Sequence, residues 1–436
     1  MEERKELLKK YDKKFWLIPL GVFLIPILFE FAYRDPLFDA SVKLIVKIQD
    51  KLGNLKFVQN YSFLFYVINV ITSNFTYIFL TLLSYNFING YKCFILMLSI
   101  FFSNYLSSLL ALIYRCPRPY MVNAHLIPYL QFSDWGYPDN RLMTLVAFYS
   151  SFFSVFFKAK KTKKIFSAKL VLGITFGLYG AFIVAMFFIS AVVTIEQIIL
   201  SIAMGFAVYT AMFYIFKAKV NNPLQYHSVM RFKMIYYIGI NAILGMFLLI
   251  LYLCIHSEYD EEYYNENAIL QFKRLDSKVN VYTLSEGTFG NIVCFLGNIA
   301  MFIGMKIEYS FTYNNNYNFW RTHTFEMVSH MSESDLNQSM YSVNEKYFTG
   351  SQWNHTGKTK AVWRFFFVVF FGLIGILPYV FVQYVFKWKT NNYVFLVLAV
   401  FVPIFYLCFG MFYLFKFFFR KLKLANHSNN SIKSIK

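Results

Sequence analysis

Along most of the 436 residues, apolar side chains come in long runs separated by short polar or charged blocks. A transmembrane helix needs about 20 mainly apolar residues, and its backbone must satisfy its own hydrogen bonds there. Ten stretches fit that description: 15–33, 61–88, 93–114, 141–158, 169–190, 194–216, 234–255, 288–306, 362–386 and 392–416. The 141–158 run is short, and 194–216 opens on the polar pair Glu196 and Gln197. Residues 36–52 break the pattern. Apolar residues recur there at helical spacing with Lys43, Lys47 and Lys51 between them, which predicts a helix lying in the membrane interface. The predicted fold class is all-α, a polytopic membrane helical bundle of about ten transmembrane helices. Its expected divisions are an N-terminal segment (1–14), an extra N-terminal transmembrane helix (15–33), a membrane core (34–310), a polar loop (311–361), a C-terminal transmembrane helix pair (362–416) and a basic tail (417–436).

Composition agrees with this pattern. With 58% hydrophobic and 15% charged residues, the chain is far from the balance of a water-soluble enzyme. The formal charge of +19 sits in short blocks beside apolar runs, as membrane flanks do, so nucleic acid is not an expected partner. Six basic residues precede Phe15, six lysines fill 158–169, and the 217–233 loop and the C-terminal tail are basic as well. With ten spans all four blocks fall on one side, the cytosolic side by the positive-inside rule, while the acidic stretch 256–266 falls on the other. Five single cysteines give no metal spacing and no disulfide framework, and the histidines of the 307–361 loop, His323, His330 and His355, have none either. No metal and no cofactor are expected.

Three short segments open on the side opposite the basic blocks: Tyr114–Tyr120, Gly136–Arg141, and the turn from Ser190 to Gln197. Their order, spacing and sidedness resemble the type 2 phosphatidic acid phosphatase superfamily, closest to its glucose-6-phosphatase and sphingoid-base phosphate phosphatase branch. The likeness covers about residues 36–310. Against the family's first motif, Arg118 and Pro119 are kept, and Ala111 stands at the lysine position. Against the second, Gly136 and Pro138 are kept, followed by Asp139, Asn140 and Arg141 in place of Ser-Gly-His. Against the third, aligning Gln197 and Gly205 puts Phe187 at the arginine and Val193 at the nucleophilic histidine.

The resemblance implies a phosphatase-like core without its chemistry. Phosphohistidine catalysis needs a histidine nucleophile, a second histidine as acid, and fixed cations around the phosphoryl oxygens. Val193 has no nucleophilic atom, Arg141 holds its proton at any working pH, and His125 is a lone loop histidine. The expected catalytic residues are therefore none. Arg115, Arg118 and Arg141 remain as a possible phosphate or headgroup cluster; the competing reading, which carries more weight, is that Asp134 and Asp139 neutralise them. The polar residues inside spans read as structural: Asn69, Asn74, Asn104, Asn241 and Asn298 as bonds between helices, Glu30 with Arg34 as a flanking ion pair, and Glu196 as a carboxylate at a helix start. The function expected is an inactive phosphatase-like membrane protein with a structural or lipid-contacting role, its partners membrane lipids and other membrane subunits of a larger complex. The alternatives are an active lipid- or sugar-phosphate phosphatase with substituted residues, and a transporter or channel. The endoplasmic reticulum or another endomembrane is expected ahead of the mitochondrial inner membrane.

Overall fold

The structure, a computed structural model, describes residues 2–52, 55–84, 90–130, 132, 134–156, 163–212, 233–256, 260–275, 290–307, 310, 358–385, 393–422 and 424. The lysine-rich block up to residue 162, most of the 311–361 loop with its three histidines, and the end of the basic tail lie outside the described residues. Every regular element among the described residues is helical.

The helices are α1 (Glu2–Leu52), α2 (Leu55–Ile71), α3 (Asn74–Ser84), α4 (Gly90–Tyr114), the single turn α5 (Pro119–Val122), α6 (Asn140–Phe156), α7 (Lys163–Ile189) and α8 (Ile195–Met212). They continue with α9 (Met234–His256), α10 (Asp260–Leu275) and α11 (Gly290–Ile307). The last are α12 (Lys358–Val385), α13 (Tyr393–Phe409), which passes through a π-helical turn at Gly410–Leu414, and α14 (Phe415–Lys421). Five helical stretches among the described residues are long and apolar enough to cross a membrane: Lys92–Val122, Ile195–Met212, Met234–Cys254, Gly290–Ile307 and Val400–Phe419. The chain is thus a helical protein built for a membrane. The count becomes six if the bent pair Phe63–Ile71 and Asn74–Ser84 is one span. Leu20–Glu30 and Gly173–Ile189 are apolar but shorter.

Three local expectations change. The 61–88 run is not one straight helix: α2 and α3 meet at 60°. Side chains explain the bend. Ser73 Oγ (2.8 Å) and Thr76 Oγ1 (2.5 Å) both donate to Val70 O, a carbonyl that a continuing helix would have given to the Asn74 N–H. Second, residues 36–52 do not form a separate interfacial helix, because α1 runs unbroken through Pro36 to Leu52. The lysines at 43 and 47 are exposed as expected, but Ser41, Ile45 and Gln49, one turn apart on another face, are buried against the core. Third, the acidic stretch after α9 is largely helix α10, which buries Ala268, Gln271 and Phe272 beside α5.

The centre is a packed triangle of α4, α6 and α8, with α1 against α8 and α3 against α4. Gly205 on α8 makes this approach possible, since a Cβ there would lie 2.7 Å from Met143 O and 2.8 Å from Val146 Cβ on α6. Buried amides tie the layers together. Asn74 Nδ2 donates to Asn104 Oδ1 (2.7 Å), Asn140 Nδ2 donates to the same oxygen (3.0 Å), and Ser107 Oγ donates to Asn140 Oδ1 (2.7 Å), joining α3, α4 and α6. On the far side Asn298 Nδ2 donates to Asn241 Oδ1 (2.8 Å) and links α11 to α9, where Tyr237 stacks on Phe302 at 3.8 Å.

Candidate functional site

At one end of this triangle the three segments meet. Helix α4 stops at Tyr114 because Arg115 turns left-handed (φ 48°), with its N–H still bonded to Ala111 O at 2.9 Å. The chain then runs out through Cys116 and Pro117 to Arg118, which precedes α5 with Pro119 as the first helical residue. It returns past Trp135 and Gly136, whose N–H bonds Cys116 O (3.1 Å). Glycine suits this close pass, since a Cβ would fall 2.9 Å from both amide atoms of Gln197 and 3.1 Å from Arg118 Cγ and displace them. The Tyr137–Pro138 peptide is cis. Asp139 then starts α6: its Oδ1 accepts from Leu142 N (2.9 Å), and its own N–H donates to Ser201 Oγ (2.7 Å) on α8.

The third segment is built by the same local rules. Helix α7 ends where Ala191 turns left-handed (φ 57°), and Val192 N bonds back to Phe187 O at 3.1 Å. Thr194 opens α8, with Gln197 Oε1 accepting from Thr194 N (3.2 Å) in the reciprocal half of a capping box. Gln197 Nε2 reaches across to Pro117 O (3.1 Å), so this one amide pins the third segment to the first.

Arg118 is wholly buried at the centre. Its Nη2 bonds Asp134 Oδ1 (2.5 Å), its Nη1 bonds Asp139 Oδ2 (2.9 Å) and Val192 O (3.0 Å), and its Nε bonds Asp134 O (2.9 Å). A guanidinium has five N–H donors in a fixed fork, and four of these directions are taken by the chain itself. Arg141 lies to one side, its Nη1 bonded to Asn69 Oδ1 and to Asn69 O (3.3 Å) near the C-terminal end of α2, where a cation also meets the negative end of the helix. The Phe132 ring touches both guanidinium groups, at 5.3 Å from Arg118 and 3.7 Å from Arg141. Phe187 packs on Phe132 edge to face (5.4 Å). Val193, Phe187 and Ala111, which the sequence resemblance aligns with the family's working groups, are all buried in apolar surroundings. Arg115 is only partly buried, and His125 is exposed on the loop, its N–H held by Asn123 Oδ1 (2.9 Å).

Two elements that sequence reasoning left out complete the site. Gln49 on α1 donates to Ile127 O (2.9 Å) and Ile189 O (3.0 Å) and accepts from Ile127 N (3.0 Å), and Ser41 Oγ accepts from Ile195 N (3.1 Å). From α10, Asn267 and Gln271 donate to Met121 O (3.1 Å) and Ala124 O (2.8 Å), while Phe272 meets Tyr120 at 5.4 Å. The signal was present in the sequence: Ser41, Ile45 and Gln49 share one helical face, offset from the lysines.

Higher up α1, Arg34 lies over the rings of Tyr114 (5.9 Å) and Tyr137 (5.8 Å), and its Nη2 donates to Cys116 Sγ (2.8 Å). The Glu30 carboxylate is buried 3.9 Å from Arg34. Burial, and then the nearby Glu30 carboxylate, push the Tyr137 hydroxyl above the ordinary phenol range, so it remains a donor. Among the described residues no group of three or more His, Cys, Asp or Glu side chains is placed to hold a metal ion. No protein-family model, no curated protein and no solved structure matches the chain.

Proposed function

We propose that this is a non-catalytic, phosphatase-like membrane protein of ten spans, whose three-segment mouth serves as a structural lock. The observation that carries this reading is the commitment of Arg118. A phosphoryl-transfer site aims unengaged donors at the place where charge develops, but Arg118 directs four of its N–H groups at Asp134, Asp139 and Val192. Two carboxylates already neutralise Arg118, so its charge is not available to a phosphate. Phe132 lies where a headgroup would have to approach both arginines. With Val193 in place of a nucleophile, neither the electrostatics nor the covalent chemistry of hydrolysis has a carrier. The apolar outer face of α9, with Ile240, Ile243, Phe247 and Ile250 exposed, suits contact with lipid chains.

A lock makes a stability prediction that a binding site does not. Arg118→Ala strands two carboxylates, one fully buried, and is expected to cost about 3–5 kcal/mol, because breaking a buried pair leaves an uncompensated charge. Replacing all three partners together (Arg118→Met with Asp134→Asn and Asp139→Asn) is expected to recover most of that loss. Unfolding of the purified protein in detergent reads both, and an Arg118→Ala variant as stable as the parent would remove the basis for the lock.

A further inference from the structure

The break between α2 and α3 lies near half the height of the bundle. Asn74, the first residue of α3, exchanges amide hydrogen bonds with Asn104 at 2.7 and 3.1 Å. Asn104 stands ten residues before Tyr114, the last of the 25 residues of α4, so the break is about 15 Å short of that end at 1.5 Å per residue. Helix α6 begins at the same level, because Asn140, its first residue, bonds both Asn104 and Ser107. Helices α2 with 17 residues, α3 with 11 and α6 with 17 are each too short to cross a core of about 30 Å, the longest reaching about 25 Å. Three helix ends therefore meet within the span of α4, and the Arg141–Asn69 bonds join the start of α6 to the last turn of α2.

This level is polar and not sealed. Val70 is 44% exposed, and Asn69, Ser73, Asn74, Thr76 and Arg141 are each partly exposed. Lipid does not suit such a surface. Irregular backbone at membrane depth occurs only where protein or water covers it. A guanidinium at that depth either extends to the interface or has water come to it. Arg141 is held on Asn69 and lies 3.7 Å over the Phe132 ring, so its head stays at the level of the break. A further sign comes from inside the bundle. Tyr77, one turn into α3, packs on Phe148 and Tyr149 of α6 at 5.0 and 6.1 Å, and its buried hydroxyl has no hydrogen-bond partner among the described residues. Buried hydroxyls are nearly always paired, and water serves where protein does not. We propose that the α2–α3 break and the start of α6 line a water-filled cleft that reaches about half-way through the bundle and admits small hydrophilic solutes. Broken helices at this height are where transporters build their solute sites. The cleft rests on α4 crossing the membrane and not on the Arg118 lock.

Substituted cysteines test the proposal. The full-length protein in lipid nanodiscs, with the exposed Cys254 replaced by serine, carries one added thiol: Val70→Cys, Ser73→Cys, His125→Cys or Ile243→Cys. The probe is methanethiosulfonate ethylsulfonate, a charged reagent that attacks ionised thiols, which form in water and are suppressed in apolar surroundings. Peptide mass spectrometry reads the position of each adduct, which separates the added thiol from the native ones. His125, exposed on its loop, gives the aqueous rate, and Ile243, 68% exposed on the apolar face of α9, gives the lipid-facing rate. Val70→Cys or Ser73→Cys is expected to react at least about tenfold faster than Ile243→Cys, the factor that one unit of thiol ionisation supplies. Val70 has no polar side-chain atom, so its variant leaves the hydroxyl bonds of the bend in place even if Ser73→Cys relaxes them. A smaller ratio at both positions, in protein that elutes like the parent and whose added thiols react fully after denaturation, would overturn the proposal.

Discussion

At the scale of single residues, this end of the molecule is governed by a few side chains with no slack around them. Gly136 is the clearest case. The atoms that a Cβ would strike, the Gln197 amide at 2.9 Å and Arg118 Cγ at 3.1 Å, belong to the two side chains that hold the three segments together. Gly136→Ala should therefore destabilise the protein by about 1–3 kcal/mol, the usual cost of overpacking, and thermal unfolding in detergent reads it. Motif logic alone located Arg118 but could not reveal what it does. A kept Arg-Pro is equally compatible with holding a phosphate and with holding Asp134 and Asp139. The choice depends on the loop's return path through Phe132 and Asp134, which has no periodicity to read.

At the scale of elements, most helices lie where the hydrophobic runs predict them, and the exceptions have local causes. Helix α7 follows the 169–190 run and α9 the 234–255 run, because long apolar stretches leave the backbone no alternative to helix. The bend between α2 and α3 is illegible in the sequence because Ser73 and Thr76 are common in straight helices too, and only their bonds to Val70 O distinguish this case. In the second half of α1 three lysines suggest a membrane surface, whereas Gln49 and Ser41 on the adjoining face carry the packing. This assigns α1 a specific role as a clasp over Ile127 and the α7–α8 turn. Gln49→Ala should loosen the clasp without unfolding the core. Hydrogen exchange at the Ile127 amide, which Gln49 Oε1 accepts at 3.0 Å, should quicken by tenfold or more, at about 1.4 kcal/mol per tenfold. Unchanged protection there would show that α1 is held by its apolar contacts alone.

At the scale of the whole molecule, α10 ties the end of α9 to the 119–126 loop, so both belong to the same end of the bundle. Helix α9 has 23 residues, about 34 Å at 1.5 Å per residue, enough to cross a bilayer core. Single cysteines at Lys233, just before α9, and at His125 should accordingly react with impermeant reagents from opposite sides of the membrane, and labelling from one side would break the topology. The charge asymmetry of the sequence predicts the same arrangement from independent residues. The proposal that this architecture does not hydrolyse phosphate esters is tested most directly by phosphate release from the purified protein in lipid. With phosphatidate, a sphingoid-base phosphate and glucose 6-phosphate as substrates, release should not exceed that of protein-free vesicles. Turnover that is present in the parent and lost in Arg118→Ala, measured on the fraction of variant that remains folded, would contradict it.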